Sequence, residues 1–322
     1  MNEQSAVEQA REFQYKIEID SRPEYRSHRR FRWGLRAAFI GALLVLCGIG
    51  LMHIQWLDYG NSPYQSVRTC VQTAQRLLRY IFFTLTAITL ILRQITIKKY
   101  IRNLVGFIFP EQVVYDHSSG LTREDYLESG FARTRIDSHI GKDLIKGILN
   151  NTEFQCSFIN TGFTYRMSRS ALASHRRIDF RGFMIRINRS TPFKGQTVVL
   201  PDKLERYLGQ FARTIQNTDR RFGELVQLED VEFENQFKVY ATDQHVGRLI
   251  MTPRRMEVFN MMLQAIRSKG IQASFRDQNA FILIRLKRSP LWPSFWRAPL
   301  SVRNPYRQVA FLCLLRLCVQ SL

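Results

Sequence analysis

The chain has 322 residues, 45% of them hydrophobic and 23% charged, which excludes wholesale disorder and leaves room for one or two domains with a real core. Forty-seven Lys and Arg against 27 Asp and Glu give a formal net charge of +20, so the partners this surface favours are anionic: lipid headgroups, nucleic acid or acidic proteins. Five irregularly spaced cysteines with no C-x-x-C pair form neither a zinc ribbon nor a disulfide framework, and they suit buried thiols in a reducing compartment.

Residues 1–33 are polar and basic. The stretch "GLRAAFIGALLVLCGIGLMHI" then carries no formally charged side chain from Ala37 to Ile54, apart from the titratable His53. As a helix it comes close to the ~30 Å of a bilayer core at ~1.5 Å per residue. A cleaved leader does not fit, because a long polar segment precedes the run and no A-x-A site follows it. A second run, Tyr80 to Leu92, is shorter, and Arg93 interrupts its extension through "QITI". Arg93 lies about one turn from Lys98 and Lys99 and can snorkel to the same interface. The expectation is a transmembrane hairpin within 34–98, with spans at about 35–54 and 79–97.

The flanks orient it. Arg29, Arg30, Arg32 and Arg36 precede the first span with no acid among them, and Lys98 and Lys99 follow the second. Positive-inside bias places both ends in the cytoplasm. Trp33 and Trp56 stand at the two ends of the first span, where amphipathic rings prefer to lie.

Residues 99–290 suit a mostly antiparallel α+β domain. In "LTREDYLESGF", Thr122 is positioned to cap a short helix that Gly130 closes. "TEFQCSFINTGFTYRM" suggests two strands around an Asn160-Thr161-Gly162 turn. "IDFRGFMIRIN" alternates with a slip of phase at Gly182, the mark of a bulge. Gly195 turns the chain into the strand "QTVVL", and Pro201 stops it. "QFKVY" suits a strand, "ATDQHVG" a turn and "RLIM" renewed extended structure. Thr252 as N-cap and Pro253 at the first helical position open a helix with Met256, Phe259, Met262 or Leu263, and Ile266 toward the core. A last hairpin, "IQASF" and "AFILIRL", turns at Asp277-Gln278-Asn279. The tail 291–322 has no acid and is rich in Trp, Pro and Arg; its apolar "VAFLCLLRLCV" suits a membrane surface or the domain equally.

The order of a membrane hairpin, "GKDLIKG", "FRGFMIRINRSTPFKGQTVVLPD" and "LEDVEFENQFKVYATDQHVGRLIMTP" resembles the bacterial membrane family of unknown function DUF3137. The resemblance runs from about residue 35 to 290. The residues that carry it include Phe180, Gly182, Phe193, Gly195, Phe237, Tyr240, Asp243, Thr252 and Pro253. The chain departs from the family at Val246-Gly247, where an acid is usual, and in its tail. The resemblance implies a protein of the bacterial inner membrane and no activity; with the two spans and their basic flanks, the expectation is a multi-pass protein with its soluble domain in the cytoplasm.

No phosphate loop, dinucleotide fingerprint, nucleophile elbow or H-E-x-x-H motif is present, so neither an enzyme nor a cofactor or metal is expected. The acids of "EDVEFE" would share a face on a strand but lack the Asp/Asn/Gly frame of a calcium loop. Asp243 and His245 suit a polar turn better than acid-base work. The basic residues are dispersed rather than gathered into a nucleic-acid motif, which leaves nucleic acid as the alternative partner. The favoured expectation is a tethered regulatory or binding module for a protein or for anionic lipid headgroups.

Overall fold

The computed structural model describes residues 65–110, 112–132, 136–165, 175–202, 222–266, 270–292 and 303–321. The chain divides into two compact units: of the described residues, those up to Lys98 fall in one and those from Lys99 in the other. The first expected span and the segment 1–33 lie outside the described residues.

Helix α1, Gln65–Ile108, is 44 residues long and contains the expected second span. Its described side chains change character along the length. Leu77, Tyr80, Ile81, Phe83, Ile88, Ile91 and Ile95 are all more than half exposed, whereas Ile101, Leu104, Val105 and Ile108 are buried. Among the described residues no helix is long and apolar enough to cross a membrane. Residues 79–97 are therefore helical as expected, but Arg93 and Gln94 break their apolar run, and a second span is not established.

From Lys99 onward an α+β domain is built on a nine-stranded antiparallel sheet in the order β1-β2-β3-β4-β9-β8-β5-β7-β6. The strands are β1 (Val113–Asp116), β2 (Ser138–Leu149), β3 (Thr152–Tyr165), β4 (His175–Asn188), β5 (Gln196–Pro201), β6 (Glu224–Val226), β7 (Phe237–Ala241), β8 (Ile271–Arg276) and β9 (Asn279–Arg285). The expected last hairpin is formed by β8 and β9, and it inserts between β4 and β5 at the centre. Helices α2 (Arg123–Glu128), α3 (Val231–Glu234), α4 (Gln244–Ile250), α5 (Pro253–Ile266) and α6 (Arg303–Ser321) complete the described elements.

Alternation along the strands gives the sheet two faces. One carries Ile159, Phe180, Met184, Phe281 and Leu283, packed beneath Leu121 and Tyr126 of the α2 segment. Thr122 caps α2 in a reciprocal box with Asp125, and Arg186 reaches from β4 to the Asp125 carboxylate at 2.7 Å. Over the body of the sheet the other face is apolar. Phe154 meets Phe109 at the end of α1, Phe183 takes the edge of Phe311 from α6, and Phe237 and Phe233 pack on Phe259 of α5.

Four expectations are corrected. The Asn160-Thr161-Gly162 turn does not exist: β3 runs through it as one strand of 14 residues. The irregularity is instead a bulge opposite, where Thr161 pairs with Phe180 and Gly162 with Ile178, leaving Asp179 as the extra residue of β4. The bulge expected at Gly182 is thus displaced by three residues, and Gly182 itself serves close approach of β9. The segment expected to turn and extend after Asp243 is helix α4, because the Asp243 carboxylate accepts from the backbone N–H groups of His245 and Val246 and nucleates it. The acids of "EDVEFE" do not share a strand face: Asp230 caps the one-turn helix α3, and Glu234 accepts from the Leu228 N–H.

The tail packs on the domain. In α6, Phe311, Leu312, Leu315, Cys318 and Val319 are buried, Arg255 donates to the Ser321 carbonyl, and Arg316 donates to the Ile108 carbonyl. Cys156, Cys313 and Cys318 are free and buried. Burial pushes the Cys318 thiol up to about 12 and raises Cys156 well above its ordinary range. Thiolate is the reactive form, so at pH 8.5 Cys318 should alkylate roughly a thousandfold more slowly than an ordinary cysteine. Peptide-resolved mass spectrometry after iodoacetamide treatment, native against urea-unfolded, measures this; equal labelling of the Cys318 peptide in both states contradicts the packing of α6.

Candidate functional site

The polar feature that no local pattern announces centres on Asp143. Strand β2 bulges between Lys142 and Ile145, and Asp143 sits in the bulge at φ +60 with its carboxylate buried. Four side chains donate to it. Oδ1 accepts from the Tyr115 hydroxyl at 2.9 Å and from Trp292 Nε1 at 2.8 Å, and it lies 2.6 Å from His117 Nδ1. Oδ2 accepts from Ser289 Oγ at 2.7 Å. The His117 and Trp292 rings lie against each other with centroids 4.4 Å apart.

Local chemistry explains how these groups reach one point. Asp116 binds the Ser118 N–H and the hydroxyls of Ser118 and Ser119, closing the turn after β1; these bonds hold its carboxyl at about 2. The turned backbone then crosses β2 closely, since a Cβ on Gly120 would stand 2.4 Å from the Gly141 carbonyl carbon. Asp143 N–H in turn donates to the His117 carbonyl. Burial, followed by the adjacent carboxylate, raises the Tyr115 hydroxyl far above neutral pH, so it stays a donor. Ser289 and Trp292 arrive from beyond β9, so one carboxylate ties the chain after the sheet to its first two strands.

With the carboxylate accepting, His117 donates from Nδ1, which in the neutral ring leaves the lone pair on Nε2. That is the orientation of an imidazole base, yet no hydrogen bond joins Nε2 to another group among the described residues. The geometry therefore supplies a positioned imidazole and a structural tie, without a nucleophile set against the base.

A second buried polar group lies under α2. The Tyr126 hydroxyl donates to Asp179 Oδ2 at 2.7 Å, and Arg285 reaches the Asp179 carbonyl while its guanidinium lies 5.2 Å from the Phe180 ring centroid. Burial lowers the pKa of Arg285 and raises that of Tyr126. The bulge at Asp179 is what turns this carboxylate toward the helix.

The residues singled out by sequence do not converge on one site. Phe180 and Gly182 lie on β4. Phe193 packs against Phe275 with Arg189 over its ring, and a Cβ on Gly195 (φ +70) would meet Thr242 Oγ1 at 2.4 Å. Phe237 is buried, Tyr240 half-buried, and Asp243, Thr252 and Pro253 stand at helix starts. Of the basic residues, Lys98 is half-buried and Lys99 exposed; Arg93 lies in α1 with its side chain outside the described residues, as are Arg29, Arg30, Arg32 and Arg36 altogether. Among the described residues no group of three or more His, Cys, Asp or Glu could hold a metal ion. The Asp143 tie escaped sequence reasoning because its partners lie 26 to 149 residues away. The one local hint was "YDHSS".

No curated protein matches the chain. The crystal structure of the mycobacterial trehalose monomycolate transport factor A, TtfA, is similar over 69% of this chain and 95% of that chain, at 12% identity and a TM-score of 0.32, which is too slight to carry an argument. The family model described as protein of unknown function, DUF3137, matches residues 178–322, a stretch that takes in the tail the sequence motifs had set apart, and over these residues the chain is similar to that family.

Proposed function

We propose that this protein is a membrane-tethered module of the bacterial inner membrane, with its α+β domain in the cytoplasm, where it binds a protein or anionic-lipid partner. The observation that carries the reading is the exposed apolar surface of α1. Seven large apolar side chains between Leu77 and Ile95 stand more than half exposed, and Lys98 and Lys99 follow directly. In water such a surface is costly and rare; in lipid it is satisfied, with the lysines at headgroup depth. The uncharged run from Ala37 to Ile54 supplies the longer span of a hairpin, and residues 79–97 the shorter.

The test is alkaline carbonate extraction of membranes from cells producing the full chain. The protein is expected to stay in the pellet and to be released only by detergent. An impermeant maleimide is expected to label Ser62→Cys in intact spheroplasts and Arg288→Cys only after lysis. Recovery of the intact chain in the carbonate supernatant sinks the tethering, and the reverse labelling pattern sinks the orientation.

A further inference from the structure

Strands β2, β3 and β4 run past the body of the sheet. The β9 partner of β4 ends with Gly182 opposite Arg285, whereas β3 and β4 stay paired out to Tyr165 and His175. On the face that carries α6 and the end of α1, Phe183 is fully covered, and the covering stops there. Alternation puts Ile140, Asn160 and Arg181 on this same face one row further out, paired across three strands. The Asp179 bulge then reverses the parity of β4, which brings Ile178 and Arg176 onto it as well. Ile140 is 46% and Ile178 44% exposed. Lys142 and Arg176 are exposed, Arg181 is half-buried, and the exposed Lys287 follows Leu286, whose N–H donates to the Arg181 carbonyl. The nearby acids are already engaged: Asp137 accepts from the Thr164 N–H, and Asp179 is buried toward the opposite face with Tyr126.

We propose that this projecting β2–β3–β4 arm rests on an anionic lipid surface, with Ile140 and Ile178 entering the interface and Lys142, Arg176 and Arg181 facing the headgroups. The inference rests on the tethering proposed above and gives it a site. Charge complementarity chooses the occupant: three cations share the face with two branched aliphatic side chains, and among the described residues no unengaged carboxylate intervenes. A single-stranded nucleic acid would instead be met by aromatic rings for stacking, and this patch presents aliphatic ones.

The experiment uses the full chain reconstituted into vesicles of phosphatidylcholine with or without phosphatidylglycerol, at physiological salt. Ile178→Trp places an indole on the arm, and Ile140→Trp repeats the probe on a neighbouring strand. Quenching by brominated lipid, measured as the increment over the parent chain, is expected to be at least threefold greater in the anionic vesicles. It should fall by a similar factor when Lys142→Glu and Arg176→Glu are added. Equal quenching in neutral vesicles, or none in vesicles that retain the chain through carbonate extraction, overturns the arm contact while leaving the tether standing. Release of the chain by carbonate overturns the tether instead, and quenching on the same vesicles still decides the arm. A position-178 indole that answers to a single-stranded RNA oligomer and not to bromolipid assigns the patch to nucleic acid and also overturns the inference.

Discussion

Gly182→Ala is expected to destabilise the domain by about 3–5 kcal/mol, far more than a single added methyl ordinarily costs. Gly182 pairs with Arg285 in the last rung of the β4–β9 ladder, and a Cβ there would stand 2.0 Å from the Ile284 carbonyl oxygen and 2.9 Å from the Phe180 ring. The obstacle is backbone rather than a flexible side-chain end, so β4 and β9 must separate by roughly 1 Å to restore ordinary contact, which weakens ladder bonds worth about 1 kcal/mol each. Both sheet faces are packed at this point, beneath Tyr126 on one side and Phe311 on the other, so the strands cannot move freely. Gly106→Ala is the matched control. Gly106 is an exposed residue of α1 with nothing within 4 Å of the added Cβ, and there the same change should stabilise by up to ~1 kcal/mol through helix propensity. Thermal melts of the full chain in detergent compare the two. Shifts of equal size and sign would contradict the close β4–β9 approach.

The features legible in the sequence are those whose causes are local. Thr122 with Asp125, Thr252 with Pro253 and Gly195 before β5 each specify backbone within a few residues and stand where the pattern put them, and the turn expected over Asp277-Gln278-Asn279 is tighter by one residue, since Asn279 already pairs in β9. Asp243 shows the limit of that reasoning: the same residue that suits a polar turn suits an N-cap, and only the packing of Gly247 against Val226 and Ala241 selects helix. The false turn at Asn160-Thr161-Gly162 has a similar origin. Turn-forming residues were present, but Asn160 pairs with Arg181 and Gly162 lets the Arg177 carbonyl approach, so they serve strand pairing at a bulge. Helix α6 gave no periodic signal because side chains all around it are buried, which removes the polar stripe that marks a surface helix.

Asp143→Ala is expected to cost about 3–5 kcal/mol, because it removes the one acceptor shared by four donors. Tyr115 is buried and has no route to water, so its hydroxyl bears most of the loss; His117, Ser289 and Trp292 are half-exposed and can partly rehydrate. The left-handed backbone at this position adds to the cost, since alanine tolerates φ +60 worse than aspartate by about 1 kcal/mol. Two companion substitutions separate these contributions. Asp143→Asn keeps one carbonyl oxygen for Tyr115 and Trp292 and presents an amide to Ser289, whose hydroxyl can rotate to accept; its cost should be about 1–2 kcal/mol. Asp143→Gly relieves the backbone but strands the donors, and it should fall between the other two. At about 2–4 °C per kcal/mol for a domain of this size, Ala should lower the melting temperature of the full chain by roughly 6–20 °C and Asn by roughly 2–8 °C. Because Ser289 and Trp292 hold the chain beyond β9, Ala should also speed proteolytic cleavage between Arg288 and the start of α6 well before the sheet itself melts. Melts of all three variants within about 1 °C of the parent, with unchanged cleavage, would show that this carboxylate does not hold the C-terminal segment to the sheet.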